Sequence, residues 1–361
     1  MADHRSEIIE LIEKSYSLRD GSAAKIQLLQ QAIQMSDAHQ DIALQYQSRL
    51  SMLETATFSG FEEQAIAAFG FCLACSDADP QHYPIQSLLW KFKYILESVA
   101  DFPQIGAAQI QDMFEQMSTR YRDNGYSQRP VHVIKARALS RMGHLQEAAQ
   151  HAGEYKQYPR DRYADCSTCE LDLEVEACIW SEDHAKALEL ARPIIAGGRS
   201  CAEVPHMTFA NLLFPTLILE RLEEAAALHE KGYRRIARNR CFLGHIAKHM
   251  FYLMQIGNME KAVELFEKHL PWALETREIL KRLEFYIAAL TLLEKLPQPN
   301  TKTLRMPKSF PIKKSSTGWR NGDLTGWFLQ QAQQLASQFD RRNGNTCYQT
   351  RLNHRHKTVY H

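Results

Sequence analysis

Four residues stand at spacings that metal chemistry uses. Cys166 and Cys169 lie in "DCSTCELDLEVEACIW", and Cys201 and His206 lie in "SCAEVPHMT". A Cys-x2-Cys pair and a Cys-x4-His pair can each offer two soft or borderline donors from one turn, and four such donors in a tetrahedron suit zinc. Four protein ligands would close the shell and leave no place for a substrate water, so the set reads as a structural staple rather than a catalyst. Two other readings stay open. Free cysteine is often a small core residue, and His206 after Pro205 would then cap a helix. Cys166 and Cys169 could also form a dithiol redox pair, although no strand-turn-helix context of the thioredoxin kind surrounds them. Cys72 and Cys75 repeat the spacing inside an apolar helix with no histidine close by, and read as core.

Positioning four such ligands requires regular elements, and the chain has one dominant period. Apolar residues recur at helical spacing from residue 5 to about 295; Ile8, Ile9, Leu11, Ile12, Tyr16 and Leu18, for instance, fall mostly along one face. Before residue 300 there is no convincing alternating strand and no Asn-Gly turn between apolar runs. A turn followed by an acidic or small residue and then a buried-type alanine recurs throughout. It reads "LRDGSAAKIQLLQQA", "FSGFEEQAIAAF", "FPQIGAAQIQDMF", "RMGHLQEAAQHA", "WSEDHAKALELA", "ILERLEEAAALH" and "QIGNMEKAVELF". Its alanines (Ala24, Ala65, Ala108, Ala148, Ala187, Ala225 and Ala262) are 41, 43, 40, 39, 38 and 37 residues apart. A near-constant period of this size predicts stacked helical hairpins, with alanine where two helices approach closely. In such an array the pair Cys166/Cys169 precedes the first helix of one hairpin. Cys201/His206 follows the second helix, so the fold would bring the two pairs together.

The segments "RMGHLQEA", "WSEDHAKA", "LERLEEA" and "IGNMEKA" resemble the tetratricopeptide pattern, in which a Gly-type turn precedes an alanine-bearing second helix. The units exceed the 34-residue tetratricopeptide length, and few carry its large aromatic near the start. "DADPQHYPIQSLLWKFKYI", "LPWALE" and "FDRRNGN" resemble stretches of bacterial tetratricopeptide-repeat proteins of uncharacterised function. The resemblance implies an all-α solenoid of about seven hairpins over residues 1–296, and carries no reaction or substrate. Residues 297–322, rich in Pro, Lys and Ser, read as a connecting segment. Residues 323–344 regain helical period, with Asp323 as N-cap, Gly344 as stop, and Trp327, Phe328, Leu335 and Phe339 as a face that caps the last repeat. Residues 345–361 read as a basic, mobile tail.

The net charge of +1 is unevenly spread: residues 300–361 hold eleven Lys/Arg against two Asp/Glu, while the first 299 hold 32 basic and 40 acidic residues. Such a tail either meets an acidic partner or folds onto its own acidic body. A second basic stretch, "KGYRRIARNRCFLGHIAKHM", places Arg234, Arg235, Arg238 and Lys248 around a helix end. The helix dipole favours cations there, and they could equally grip acidic peptide or phosphate. On "LLWKFKYILESV", Trp90, Phe92 and Tyr94 read as core, with Lys91 and Lys93 as candidates for a peptide groove. No phosphate-binding loop, His-Glu-x-x-His or Gly-x-Ser-x-Gly motif is present, so neither a catalytic residue nor an organic cofactor is expected. No apolar run is long enough to span a membrane. A charged N-terminal stretch and eight cysteines together read as cytoplasmic. The expected function is a non-enzymatic scaffold that holds a protein or peptide in its concave face, with zinc as a possible structural ion. The alternatives are a nucleic-acid-associated protein using the tail and the 231–250 patch, or a thiol- or metal-responsive regulator.

Overall fold

The computed structural model describes residues 4–18, 22–57, 60–202, 204–297, 304–313, 316 and 318–355. Among these residues there is no β-strand, and no helix is long and apolar enough to cross a membrane. The helices follow one another as pairs: α1 (His4–Tyr16) with α2 (Ala23–Ala38), α3 (Ile42–Ala56) with α4 (Glu62–Ala78), and α5 (Gln86–Val99) with α6 (Ala107–Asp123). Then come α7 (Arg129–Arg141) with α8 (Leu145–Glu154), and α9 (Ser167–Trp180) with α10 (His184–Ile195). A broken first helix, α11 (His206–Asn211) and α12 (Leu213–Ile218), precedes α13 (Leu222–Ile236). The series closes with α14 (Leu243–Gln255) and α15 (Met259–Glu275), α16 (Ile279–Lys295) and α17 (Asn321–Asn343), and a short α18 (Cys347–Asn353). Packing is mostly between chain neighbours, as in an all-helical array whose units each bury a face on the next.

One turn geometry recurs. Gly60, Gly143, Glu182, Glu220 and Gly257 all have φ between 56° and 80°. Each stands five positions ahead of Ala65, Ala148, Ala187, Ala225 or Ala262, and those five alanines are buried to 1% or less. At four of the turns the left-handed residue ends the first helix in the same way. The N–H that follows it reaches back to the helix, as in His144 to Leu139 (2.9 Å), Asp183 to Cys178 (2.9 Å), Arg221 to Thr216 (2.9 Å) and Asn258 to Leu253 (2.9 Å), which is the Schellman arrangement. The sharp reversal then sets the alanine against the first helix at close range. The two remaining marker alanines depart from the expectation: Ala24 and Ala108 are exposed. Five residues before Ala108 lies Pro103, whose ring forbids positive φ, and α6 buries Ile110, Phe114, Met117 and Tyr121 instead. Five before Ala24 lies Arg19, outside the described residues.

Apolar contacts gather into two large bodies, one from Ile8 to Leu173 and one from Val175 to Leu352, beside a small third group of Ile236, Phe242 and Ile246. Both large bodies draw on α9, so this helix is the seam between the halves of the chain. The C-terminal part departs from the expected cap and tail. α17 begins at Asn321, two residues ahead of Asp323, and Asp323 pairs with Arg320 at 2.8 Å. Its apolar face is the expected one, with Phe328 and Phe339 fully buried and Trp327 and Leu335 packed on the core. Leu304, Phe310 and Trp319 of the connecting segment are also buried there. Residues 347–353 are helical rather than mobile: the carboxylate of Asp340 accepts the N–H groups of Tyr348 and Gln349, each at 2.9 Å, and so caps α18. The remainder of the expected tail, 356–361, lies outside the described residues.

These last elements return to the first half of the chain. Arg342 donates to the carbonyls of Ala100 (2.7 Å), Phe102 (3.1 Å) and Ile105 (3.3 Å). Asn345 donates to Met142 O at 2.8 Å, and the Tyr348 hydroxyl donates to Arg141 O. Gly143 serves twice in this closure. Its φ is +80°, and a Cβ there would lie 2.6 Å from Cβ of Cys347. Gly257, at φ +76°, faces open space. Gly257→Ala should therefore cost only the left-handed strain, about 1–2 kcal/mol. Gly143→Ala should cost more and release α18, seen as a larger drop in melting temperature and faster amide exchange at 347–353. Equal losses for the two variants would refute the Cys347 contact.

Candidate functional site

The expected metal ligands converge in part. Cys166 is the N-cap of α9, its sulfur accepting the Cys169 N–H at 3.4 Å, and the Cys166 and Cys169 sulfurs are 3.4 Å apart. Cys201 arrives from the segment after α10, and the three sulfurs lie within 4.8 Å of one another. Cys166 and Cys201 are exposed and Cys169 is partly buried. Burial opposes ionisation of Cys166, but the Cys169 N–H and the neighbouring thiols outweigh it and hold that thiol below its ordinary range. Burial and the same neighbours push Cys169 well up. One thiolate thus forms readily at a helix N-terminus, and a bound cation is what would let its neighbours ionise.

His206 does not join them. It opens α11, and its ring stacks on Phe242 with centroids 5.7 Å apart. The hairpin brings together the residues that flank it, but α11 has its own neighbour, α14, and that packing takes the imidazole away. The cluster therefore offers three sulfurs and an open fourth position. It can hold a thiophilic ion in trigonal geometry, or in tetrahedral geometry with one exogenous ligand. Cys72 is fully buried, with its thiol pushed up to about 12 by burial, in keeping with a core role.

The predicted basic patch divides. Arg234, Arg235 and Arg238 are exposed at the end of α13, and Arg235 lies over the Phe209 ring at 5.5 Å. Lys248 belongs elsewhere: it donates to Asn211 Oδ1 at 2.6 Å inside the array. On α5 only Phe92 is core among the expected aromatics, since Trp90 is 37% exposed. Lys93, expected as a groove residue, is fully buried; it pairs with Asp165 and donates to the Tyr163 carbonyl at 2.8 Å. Lys91 pairs with Glu54 at 3.0 Å.

The first helices of the pairs line an inner cleft of about 170 Å³, whose walls include Glu97, Arg137, Arg141, Glu176, Lys248 and Glu284. Arg141 grips Glu97 at 2.8 Å and stands 3.8 Å from Asp101. Asn211 donates to Glu176 at 3.0 Å, and the Thr208 hydroxyl donates to Asp172. Arg137 stands 3.6 Å from Glu97 and 3.8 Å from Asp165, and donates to the Cys169 carbonyl at 3.3 Å, which ties the cleft to the sulfur cluster. Apart from Lys248, these residues escaped sequence reasoning. Their one trace in the sequence is pairs of like charge four apart (Glu97/Asp101, Arg137/Arg141, Asp172/Glu176), a spacing that the exposed Arg234 and Arg238 share and that does not by itself mark an inner site.

No family model matches the chain, and no curated protein matches it in sequence. Its function is therefore read from geometry and side-chain chemistry.

Two predictions come from these groups. Burial pushes the carboxyls of Glu62 and Glu176 up to about 7, with Glu278 and Asp172 adding to it respectively, and pushes Asp101 up to about 6. Burial also pulls His229 down to about 4 and His269 to about 3. A raised carboxyl value stabilises the fold at low pH, and that stability is lost as pH rises through the folded value. A lowered histidine value does the reverse, with stability present above 6.5 and lost as pH falls toward 4. The carboxyls should thus lower the melting temperature as pH climbs from about 4.5 to about 7 and no further, and Glu176→Gln should flatten that loss, while the histidines should lower it as pH falls from 6.5 toward 4. Second, reduced protein should take up one equivalent of Cd²⁺ with a thiolate-to-metal ultraviolet band. Cys169→Ser and Cys201→Ser should each abolish the band, and His206→Ala should leave it intact.

Proposed function

We propose that the protein is a non-enzymatic helical-repeat scaffold of tetratricopeptide-like build, whose hold on a partner protein or peptide is set by the metal or thiol state of Cys166, Cys169 and Cys201. The observation that carries this reading is the position of the cluster. It sits at the N-terminus of α9, the helix shared by both large apolar bodies, and its Cys169 carbonyl is held by Arg137 of the inner cleft. An ion drawing the three sulfurs together would fix the α9 N-terminus against the segment after α10. Its loss, or oxidation of the exposed thiols, would free the same seam. Three ligands rather than four favour a responsive site over a permanent staple, because an open position lets the ion exchange.

At about 170 Å³ the inner cleft is smaller than ordinary small-ligand pockets of roughly 300 Å³ and more. A peptide would enter only where the halves part, and parting is what the cluster would control. The nucleic-acid alternative is the weaker one. Three of the eleven basic residues of 300–361 are taken up by the chain's own body: Arg305 pairs with Glu267 at 2.9 Å and Arg355 with Glu294 at 2.6 Å, while Arg342 donates to backbone carbonyls. Of the four residues read as a basic grip, Arg234, Arg235 and Arg238 face outward and Lys248 does not.

The test is capture from the native host by three forms of the full chain: reduced and metal-loaded, chelated, and Cys201→Ser. A partner protein retained by the first and at least several-fold depleted from the other two supports the proposal. The same partners in equal amount on all three would overturn it. So would a nucleic acid recovered in proportion to falling salt.

A further inference from the structure

Outside the sulfur cluster, one other group of side chains among the described residues has the geometry of a metal shell. His132 lies on the first turns of α7, while His151 and Glu154 lie on the last turns of α8; the hairpin sets these ends side by side. The His132 and His151 Nδ1 atoms are 3.0 Å apart, and each is 3.2 Å from Glu154 Oε2. All three side chains are partly exposed. We propose that His132, His151 and Glu154 form a second metal site, for a divalent ion of the zinc, nickel, cobalt and copper class, with water completing the shell.

The distances make the case. Imidazole and carboxylate donors bind such ions at about 2.0–2.1 Å. With bonds of that length, adjacent ligands stand about 3.0 Å apart in an octahedron and about 3.4 Å apart in a tetrahedron. The three separations observed fall within that interval, so an ion could enter without moving a helix. The donor set of two imidazoles and one carboxylate is the facial kind that leaves positions open.

The surroundings fix the ligands as a metal site requires. Gln150 Nε2 donates to Glu154 Oε1 at 2.7 Å, leaving Oε2 to face both imidazoles. The Tyr158 ring stacks on His132 with centroids 4.9 Å apart. Such outer contacts orient ligands and sharpen affinity. The charged groups felt at the site are Glu154 and Glu147, which favour a cation, and Lys135, which opposes one. Burial, first among the influences on both imidazoles, holds them below the ordinary histidine value, so their lone pairs are available at neutral pH. Without an ion, the two facing Nδ1 atoms and the carboxylate must share what protons they have, an arrangement more awkward than a shared cation.

The inference is independent of the cysteines, and its test keeps the two sites apart. Untagged, full-length protein whose cysteine cluster has first been loaded with Cd²⁺ is titrated with Ni²⁺ and Co²⁺. The expected result is one equivalent bound with visible ligand-field absorption and no thiolate-to-cobalt charge-transfer band, alongside a rise in melting temperature. His132→Ala and Glu154→Gln should each remove that equivalent. Gln150→Ala, which touches no ion, should weaken it about tenfold. In every variant the Cd²⁺ signal of the cysteines should persist, which also reports that the fold is intact. Unchanged Ni²⁺ affinity in His132→Ala and Glu154→Gln, or uptake only with the thiolate band, would overturn the assignment.

Discussion

Two helices can cross at short range only where the side chain between them is small, and only if the turn joining them reverses the chain at a fixed distance from that point. In this protein both conditions are met by one local device, a left-handed residue five positions ahead of a buried alanine. Gly60, Gly143 and Gly257 adopt that conformation without steric cost. Glu182 and Glu220 adopt it against the usual preference of residues with a Cβ. That two glutamates tolerate the strain shows how strongly the surrounding packing dictates the turn. Everything larger depends on it. The hairpins stack because their crossings are alike, and the first helices share one side of the stack because the hairpins stack.

That shared side is where the charges collect. Arg137, Arg141, Lys248 and Lys281 meet Glu97, Asp101, Glu176 and Glu284 around a small cleft. Burying so many ions costs more than their attraction returns unless each is also hydrogen-bonded, and replacing them by apolar residues would often be neutral or better for stability. Stability alone does not account for a lattice of this kind. What it can supply is specificity of register: each helix meets its neighbour through complementary charge, so a slip of one turn would strand a buried ion. The same lattice carries the link from Arg137 to the Cys169 carbonyl, so the inner side and the sulfur cluster belong to one mechanical unit.

The return of the C-terminal helices gives the array its second constraint. A helical stack needs its last apolar face covered, and α17 covers it. Arg342, Asn345 and Tyr348 go further, reaching carbonyls at the ends of α5 and α7. Arg342 is thereby taken up by backbone oxygens, and Arg305 and Arg355 meet glutamates of the same chain, while Arg234, Arg235 and Arg238 at the end of α13 face outward.

The amino-acid sequence by itself determined what depends on neighbours along the chain. The all-helical class, the near-forty-residue beat, five of the seven crossing alanines, the buried face of α17 and the meeting of Cys166, Cys169 and Cys201 all follow from period, turn chemistry and the proximity of a hairpin's two ends. Only the tertiary structure decided what depends on partners distant in the chain. His206 is five residues from Cys201, yet it faces Phe242 because α11 packs on α14. Lys93 reads as a surface cation, yet its partners Asp165 and Tyr163 lie some seventy residues on. His151 and Glu154 stand at i,i+3 on α8, but the third donor, His132, arrives from α7 across the hairpin and leaves no spacing to read. Local preference is written in each residue's neighbours, whereas a side chain's final direction is settled by whichever helix arrives beside it.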